Sequence, residues 1–150
     1  MTMSKTIKDY FDIQELVCRD TYNKYGNEAW QFLDERLLAN LLWLRENLDK
    51  PIFVNSWAIG GKLSERGLRC NLCSLVASKT KAGTLYLSAH QMGKAVDFDV
   101  KGMKAEEVRK WIVANAARMP YPCRLENYVT WVHMDVRCYN QTQKVKLFNA

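Results

Sequence analysis

The chain has 150 residues, 48% hydrophobic and 25% charged, which suits one domain spanning 1–150 around one core. No apolar run approaches the roughly 20 residues that a membrane-spanning helix needs, so a helical membrane protein is excluded. A net charge of +6 favours polyanionic partners, nucleic acid or an anionic cell wall, and by itself chooses neither.

Residues 1–10 are polar and are expected to fray. They lack the apolar core and small-residue cleavage site of a secretory signal, which leads to the expectation of a protein made in the cytoplasm and kept there until something releases it. The stretch Phe11 to Cys18 is apolar enough to be ordered, but its type is ambiguous. From Asn27 to Leu48, Trp30, Leu33, Leu37, Leu41 and Leu44 recur at three- and four-residue steps and predict a helix. Leu38, Leu42 and Leu48 widen its apolar face, and Pro51 ends it. Pro51 to Ser56 reads as a short buried strand. Trp57 to Leu87 shows little periodicity and reads as a long, functional loop.

Ala95 to Val100 alternates, with Val96, Phe98 and Val100 on one face and Asp97 and Asp99 on the other. Met103 to Met119 predicts a second helix, with Val108, Trp111, Ile112 and Ala116 on one face and Pro120 as terminator. Cys123 to Glu126 and Val129 to Val136 read as a hairpin around Asn127 and Tyr128, and Lys144 to Phe148 as a last edge strand. This order points to an α+β fold with a small, mostly antiparallel sheet flanked by helices.

The chain holds two histidines. His90 lies in the turn before the strand 95–100, and Gly93 frees that turn to fold the imidazole back over Asp97. His133 shares a strand face with Val129, Trp131 and Asp135. If the two strands are neighbours, about 4.8 Å apart, His90, Asp97 and His133 can converge on one ion. Two imidazoles and a carboxylate form the ligand set of a zinc site with an open position, which is usually catalytic. Each residue also has a plainer reading. A single histidine is more often structural, Asp97 could serve a turn or a salt bridge, and His133 could simply be held by Asp135.

Ser88-x-His90-x-x-Gly93-x-Ala95-x-Asp97, followed by Trp131-Val132-His133-x-Asp135, resembles the zinc peptidases that cut peptidoglycan peptides. These are the D-alanyl-D-alanine carboxypeptidases and L-alanyl-D-glutamate endopeptidases, phage endolysins among them, which share a fold with the hedgehog signalling domain. The resemblance implies a hedgehog-like fold and His90, Asp97 and His133 as zinc ligands. It implies a hydrolase acting on cell-wall stem peptides, a phage lysin-type metallopeptidase that reaches the wall after release. A helix leading into a short strand, Leu37 to Ser56, and the arginine-bearing segment Arg66-Gly67-Leu68-Arg69 are similar to the family's layout.

One position departs from the family pattern. Many members carry a catalytic glutamate three residues before the last zinc histidine, where this chain has Thr130. Glu126 is the expected substitute as general base, with Asp135 as its rival or as the partner that orients an imidazole. Arg66 and Arg69 suit a peptide carboxylate, although either could be a solvated loop charge. Ser88 could bind substrate or shape the turn. With Thr130 at that position, the alternative to an enzyme is a zinc-containing module that binds peptidoglycan without turnover. A nucleic-acid-binding protein is suggested by charge alone. The expected protein is a monomer with neither a membrane nor a dedicated nucleic-acid partner.

Five cysteines, an odd number without a secretory signal, predict free thiols in a reducing compartment. Cys70-Asn71-Leu72-Cys73 has the spacing of half a zinc ribbon, but no second pair follows at a suitable distance. Two thiols in a mobile loop are the default expectation.

Overall fold

A computed structural model describes residues 3–138 and 140–150. Among the described residues, five α-helices and five strands form an α+β fold, with 3-10 turns at several joints. The helices are α1 (Ile13–Leu16), α2 (Arg19–Tyr25), α3 (Glu35–Leu48), α4 (Ser74–Lys81) and α5 (Ala105–Ala114). The strands are β1 (Ile52–Phe53), β2 (Ala95–Val100), β3 (Cys123–Glu126), β4 (Val132–Asp135) and β5 (Val145–Phe148). They form one sheet in the order β1-β2-β4-β3-β5, antiparallel except for the β3–β5 pair.

The alternation read from β2 sets the two faces of the sheet. Val96, Phe98 and Val100 join Leu125, Val132 and Met134 in one buried cluster with Leu37, Leu41 and Leu44 of α3 and Val108 and Ile112 of α5. Trp43 and Trp111, with ring centroids 5.4 Å apart, join those two helices at the edge of the core. Asp97, Arg124, His133 and Asp135 are left for the opposite face by the same alternation. Among the described residues, no helix is long and apolar enough to cross a membrane.

Four expectations need correction. The segment 27–48 is not one helix: Gly26–Phe32 is a 3-10 turn, Leu33 is extended, and α3 starts at Glu35. Asp34 causes the break. Its carboxylate accepts the Arg36 N–H at 2.8 Å as an N-cap, while its own N–H donates to the Gly93 carbonyl at 2.9 Å. Leu33 is buried all the same, so the apolar spacing runs unbroken across a break in the backbone. The second helix likewise stops at Ala114, and a 3-10 turn, Ala116–Arg118, follows.

The segment 57–87 is not structureless, since it contains α4. Val76 is the helix's one buried apolar side chain, too few to give a periodic signal. The N-terminal stretch is also more ordered than expected. Asp9 accepts the Thr6 N–H at 2.6 Å, and Ile7 and Tyr10 pack on the core. Met1 and Thr2, where the fraying was expected to begin, lie outside the described residues.

A candidate metal centre on the sheet face away from the helices

The strands β2 and β4 are neighbours, and Asp97 and His133 are direct cross-strand partners. That register places their side chains side by side on the face away from the helical core. Asp97 Oδ1 lies 2.8 Å from His133 Nδ1 and 3.3 Å from His90 Nε2. All three residues are buried, His133 being the most accessible at 8%.

His90 is positioned by the turn before β2. Ser88 Oγ accepts the Gln91 N–H at 3.3 Å, and the Ser88 N–H donates to Gln91 Oε1 at 3.0 Å. Ser88 therefore shapes the turn. Gly93 closes it with φ 68°, and a Cβ there would overlap the Phe32 carbonyl oxygen. Only glycine satisfies both conditions. The same turn is held from the other side by the segment 66–69. Gly67 O lies 2.9 Å from His90 Nδ1, Arg69 N–H donates to His90 O at 3.2 Å, and Asp97 N–H donates to Arg66 O at 2.7 Å. Buried Asn55, just past β1, secures that segment by accepting the Arg66 N–H at 2.9 Å and donating to Val17 O at 3.1 Å.

Outside the three candidate ligands lies a second layer of partners. Asp135 is fully buried, and its Oδ2 lies 2.8 Å from His133 Nε2. Its oxygens also accept Arg124 Nε and Nη2, both at 2.9 Å, and the Arg137 N–H at 3.1 Å. The Arg124 guanidinium stacks on the Phe148 ring at 4.3 Å. Burial pushes the Asp135 carboxyl up, but hydrogen bonds from His133 and Arg124 outweigh it and hold the group below its ordinary value. Burial likewise opposes charge on Asp97, and hydrogen bonds from His133 and His90 overcome it and hold the carboxyl well below the usual range. His133 shows the converse: burial opposes the imidazolium, yet Asp135 and Asp97 lift its pKa to about 9.

This donor set fits a metal ion. Gly67 O can hold the proton of His90 on Nδ1, leaving the Nε2 lone pair toward Asp97. Asp135 can hold the proton of His133 on Nε2, leaving the Nδ1 lone pair toward Asp97. Three ligand atoms on a tetrahedral zinc at about 2.0–2.1 Å are about 3.3–3.4 Å apart. The 2.8 and 3.3 Å separations are within a small expansion of that spacing. A second group, Cys18, Cys70 and Cys73, also brings its ligand atoms within 4.8 Å of one another.

The remaining expected site residues divide. Arg69 reaches the centre, with Nη2 at 3.5 Å from Asp97 Oδ2 and Nε donating to Glu65 O at 2.6 Å. Arg66 turns aside to Asp99, 2.8 Å away. Glu126 ends β3, half-buried. Arg124 pairs with Asp135 and Leu125 with Met134, while Glu126 pairs with Phe148 of β5; strand alternation puts Glu126 on the same face of β3 as Arg124. Thr130 is exposed in the connection before β4. Arg124 and the Gly67 carbonyl were missed from sequence. Hairpin register could have suggested Arg124 opposite Asp135, whereas a backbone carbonyl leaves no sequence signal. Compared with known proteins, the chain matches no family model, no curated protein and no solved structure.

Proposed function

We propose that the chain is a zinc-dependent peptidase acting on the stem peptides of bacterial peptidoglycan, a lysin-type hydrolase with His90, Asp97 and His133 as metal ligands. The observation carrying this proposal is the pair of imidazoles whose outer nitrogens are each held, by Gly67 O and Asp135, and whose inner nitrogens converge on one carboxylate. A zinc ion held there would supply a Lewis acid able to polarise a scissile carbonyl and to lower the pKa of water to about 7.

The chain's own residues supply the rest. Asp135 spends both oxygens on four donors and has no lone pair left for a substrate proton, so it is a positioning residue. Glu126, on the triad's face one strand away, is the general base: it takes the proton from attacking water and passes it to the leaving amine. Arg69, beside Asp97, is the better placed of the two arginines to meet a substrate carboxylate. The net charge of +6 favours retention on an anionic wall.

Purified peptidoglycan is incubated with zinc-loaded protein, and new peptide termini are sought by mass spectrometry. Glu126→Gln keeps the shape and removes the basicity. It should retain zinc and lose turnover by about 10²–10⁴-fold. Undiminished cleavage by that variant would remove Glu126 from the mechanism. An absence of new termini with zinc bound would leave the second reading, a zinc-bearing wall-binding module, which exposed Thr130 at the family's glutamate position favours.

A further inference from the structure

Cys70 and Cys73 occupy one turn, in which the Cys73 N–H donates to Cys70 O at 3.2 Å. The Leu72 N–H points at Cys70 Sγ, 3.4 Å away. Cys73 then occupies the N-cap position of α4, with no capping bond from its side chain. Cys18 arrives from the far side, 52 residues upstream of Cys70. It is brought there by a parallel bridge between Val17 and Leu68, with Cys18 N–H donating to Leu68 O at 3.1 Å and Leu68 N–H to Leu16 O at 2.9 Å. The Gly67 backbone fits this crossing because a Cβ there would overlap Leu16 O. Cys18 and Cys73 are buried, and Val76 packs with them.

A sulfur pair on tetrahedral zinc, with bonds of about 2.3 Å, is about 3.8 Å apart. Three sulfurs already within 4.8 Å reach that spacing by small side-chain rotations. A cleft of about 430 Å³ opens against Cys18 and Cys73, with Asp20 and Glu65 also in its wall, so an oxygen ligand has access to a fourth position. Soft thiolates select zinc over magnesium, calcium or manganese.

We propose that Cys18, Cys70 and Cys73 bind a second zinc ion, a structural site completed by one oxygen ligand from the adjoining cleft. Its ligands are thiolates, so binding releases the thiol protons and changes no oxidation state. The ion ties the end of α1 to the segment 66–73. That segment supplies Gly67 O to His90 and Arg66 O to Asp97, so the cysteine site braces the first metal centre from behind.

The test uses full-length protein purified under reducing conditions. Elemental analysis should find about two zinc ions per chain, one for each cluster, and about one in both His133→Ala and Cys73→Ser. Cobalt exchanged into wild type and into His133→Ala should give a near-ultraviolet thiolate-to-cobalt charge-transfer band, which a histidine–aspartate site cannot produce. Because His133→Ala leaves the cysteines intact, the result stands even if Cys73→Ser fails to fold. No thiolate band in either cobalt-loaded protein would overturn the proposal, as would a Cys18–Cys73 disulfide in place of metal. Full zinc in His133→Ala, with the thiolate band still present, would instead count against the histidine centre and leave the cysteine site standing.

Discussion

Asp135→Asn separates metal binding from overall folding. In the native site Oδ1 accepts Arg124 Nε and the Arg137 N–H, and Oδ2 accepts Arg124 Nη2 and faces His133 Nε2. An asparagine must keep its carbonyl oxygen on the Oδ1 side, where two donors converge. Its amide nitrogen then faces His133 Nε2 and demands a lone pair there. The imidazole proton moves to Nδ1, the atom that must bind the metal, so the variant favours the wrong tautomer. Losing such a partner typically weakens metal binding by about 10–100-fold. Breaking a buried ion pair costs about 3–5 kcal/mol, and Arg124 keeps enough exposure to place this case near the lower end. For a chain of this size about 3 kcal/mol lowers Tm by roughly 6–12 °C. Zinc affinity is measured by competition with a chromophoric chelator, and stability by thermal unfolding of the metal-free variant. Wild-type zinc affinity in a destabilised Asp135→Asn protein would refute the orienting role and leave Asp135 purely structural.

Three further outcomes are expected. The His133 pKa of about 9 lies above its ordinary 6.5, so its stabilising contribution is complete below about pH 6.5 and fades as pH rises through 9. Chelator-treated protein should therefore be more stable to urea at pH 6.5 than at pH 9.5, by at most about 3 kcal/mol, and His133→Asn should lose that slope; greater stability at pH 9.5 would contradict it. Metal binding requires a neutral His133, so zinc affinity should rise from pH 6 to pH 8, measured with the same chelator. Gly93→Ala combines a left-handed backbone with overlap on Phe32 O and should cost about 2 kcal/mol or more, read by urea unfolding; a neutral effect would mean that the His90 turn relaxes freely.

The sequence by itself determined the fold class and the strands that matter most. Alternation in 95–100 is visible because one face of β2 is packed against helices and the other carries carboxylates. It also determined the candidate ligands, since the chain has only two histidines and each stands in a distinctive frame. Other features had no local signature. The break before Asp34 was hidden because a 3-10 turn and an α-helix can present the same apolar spacing to a core. The helix α4 was hidden because Val76 is its one buried apolar residue. Tertiary structure alone paired Asp97 with His133, set Arg124 on Asp135 and brought the Gly67 carbonyl to His90. It also turned the half motif Cys70–Cys73 into a three-sulfur cluster by delivering Cys18 through the Val17–Leu68 bridge. Periodicity reports whether a side chain meets the core. Which distant side chains meet each other is set by strand register and chain crossing, and those are fixed only when the whole core closes.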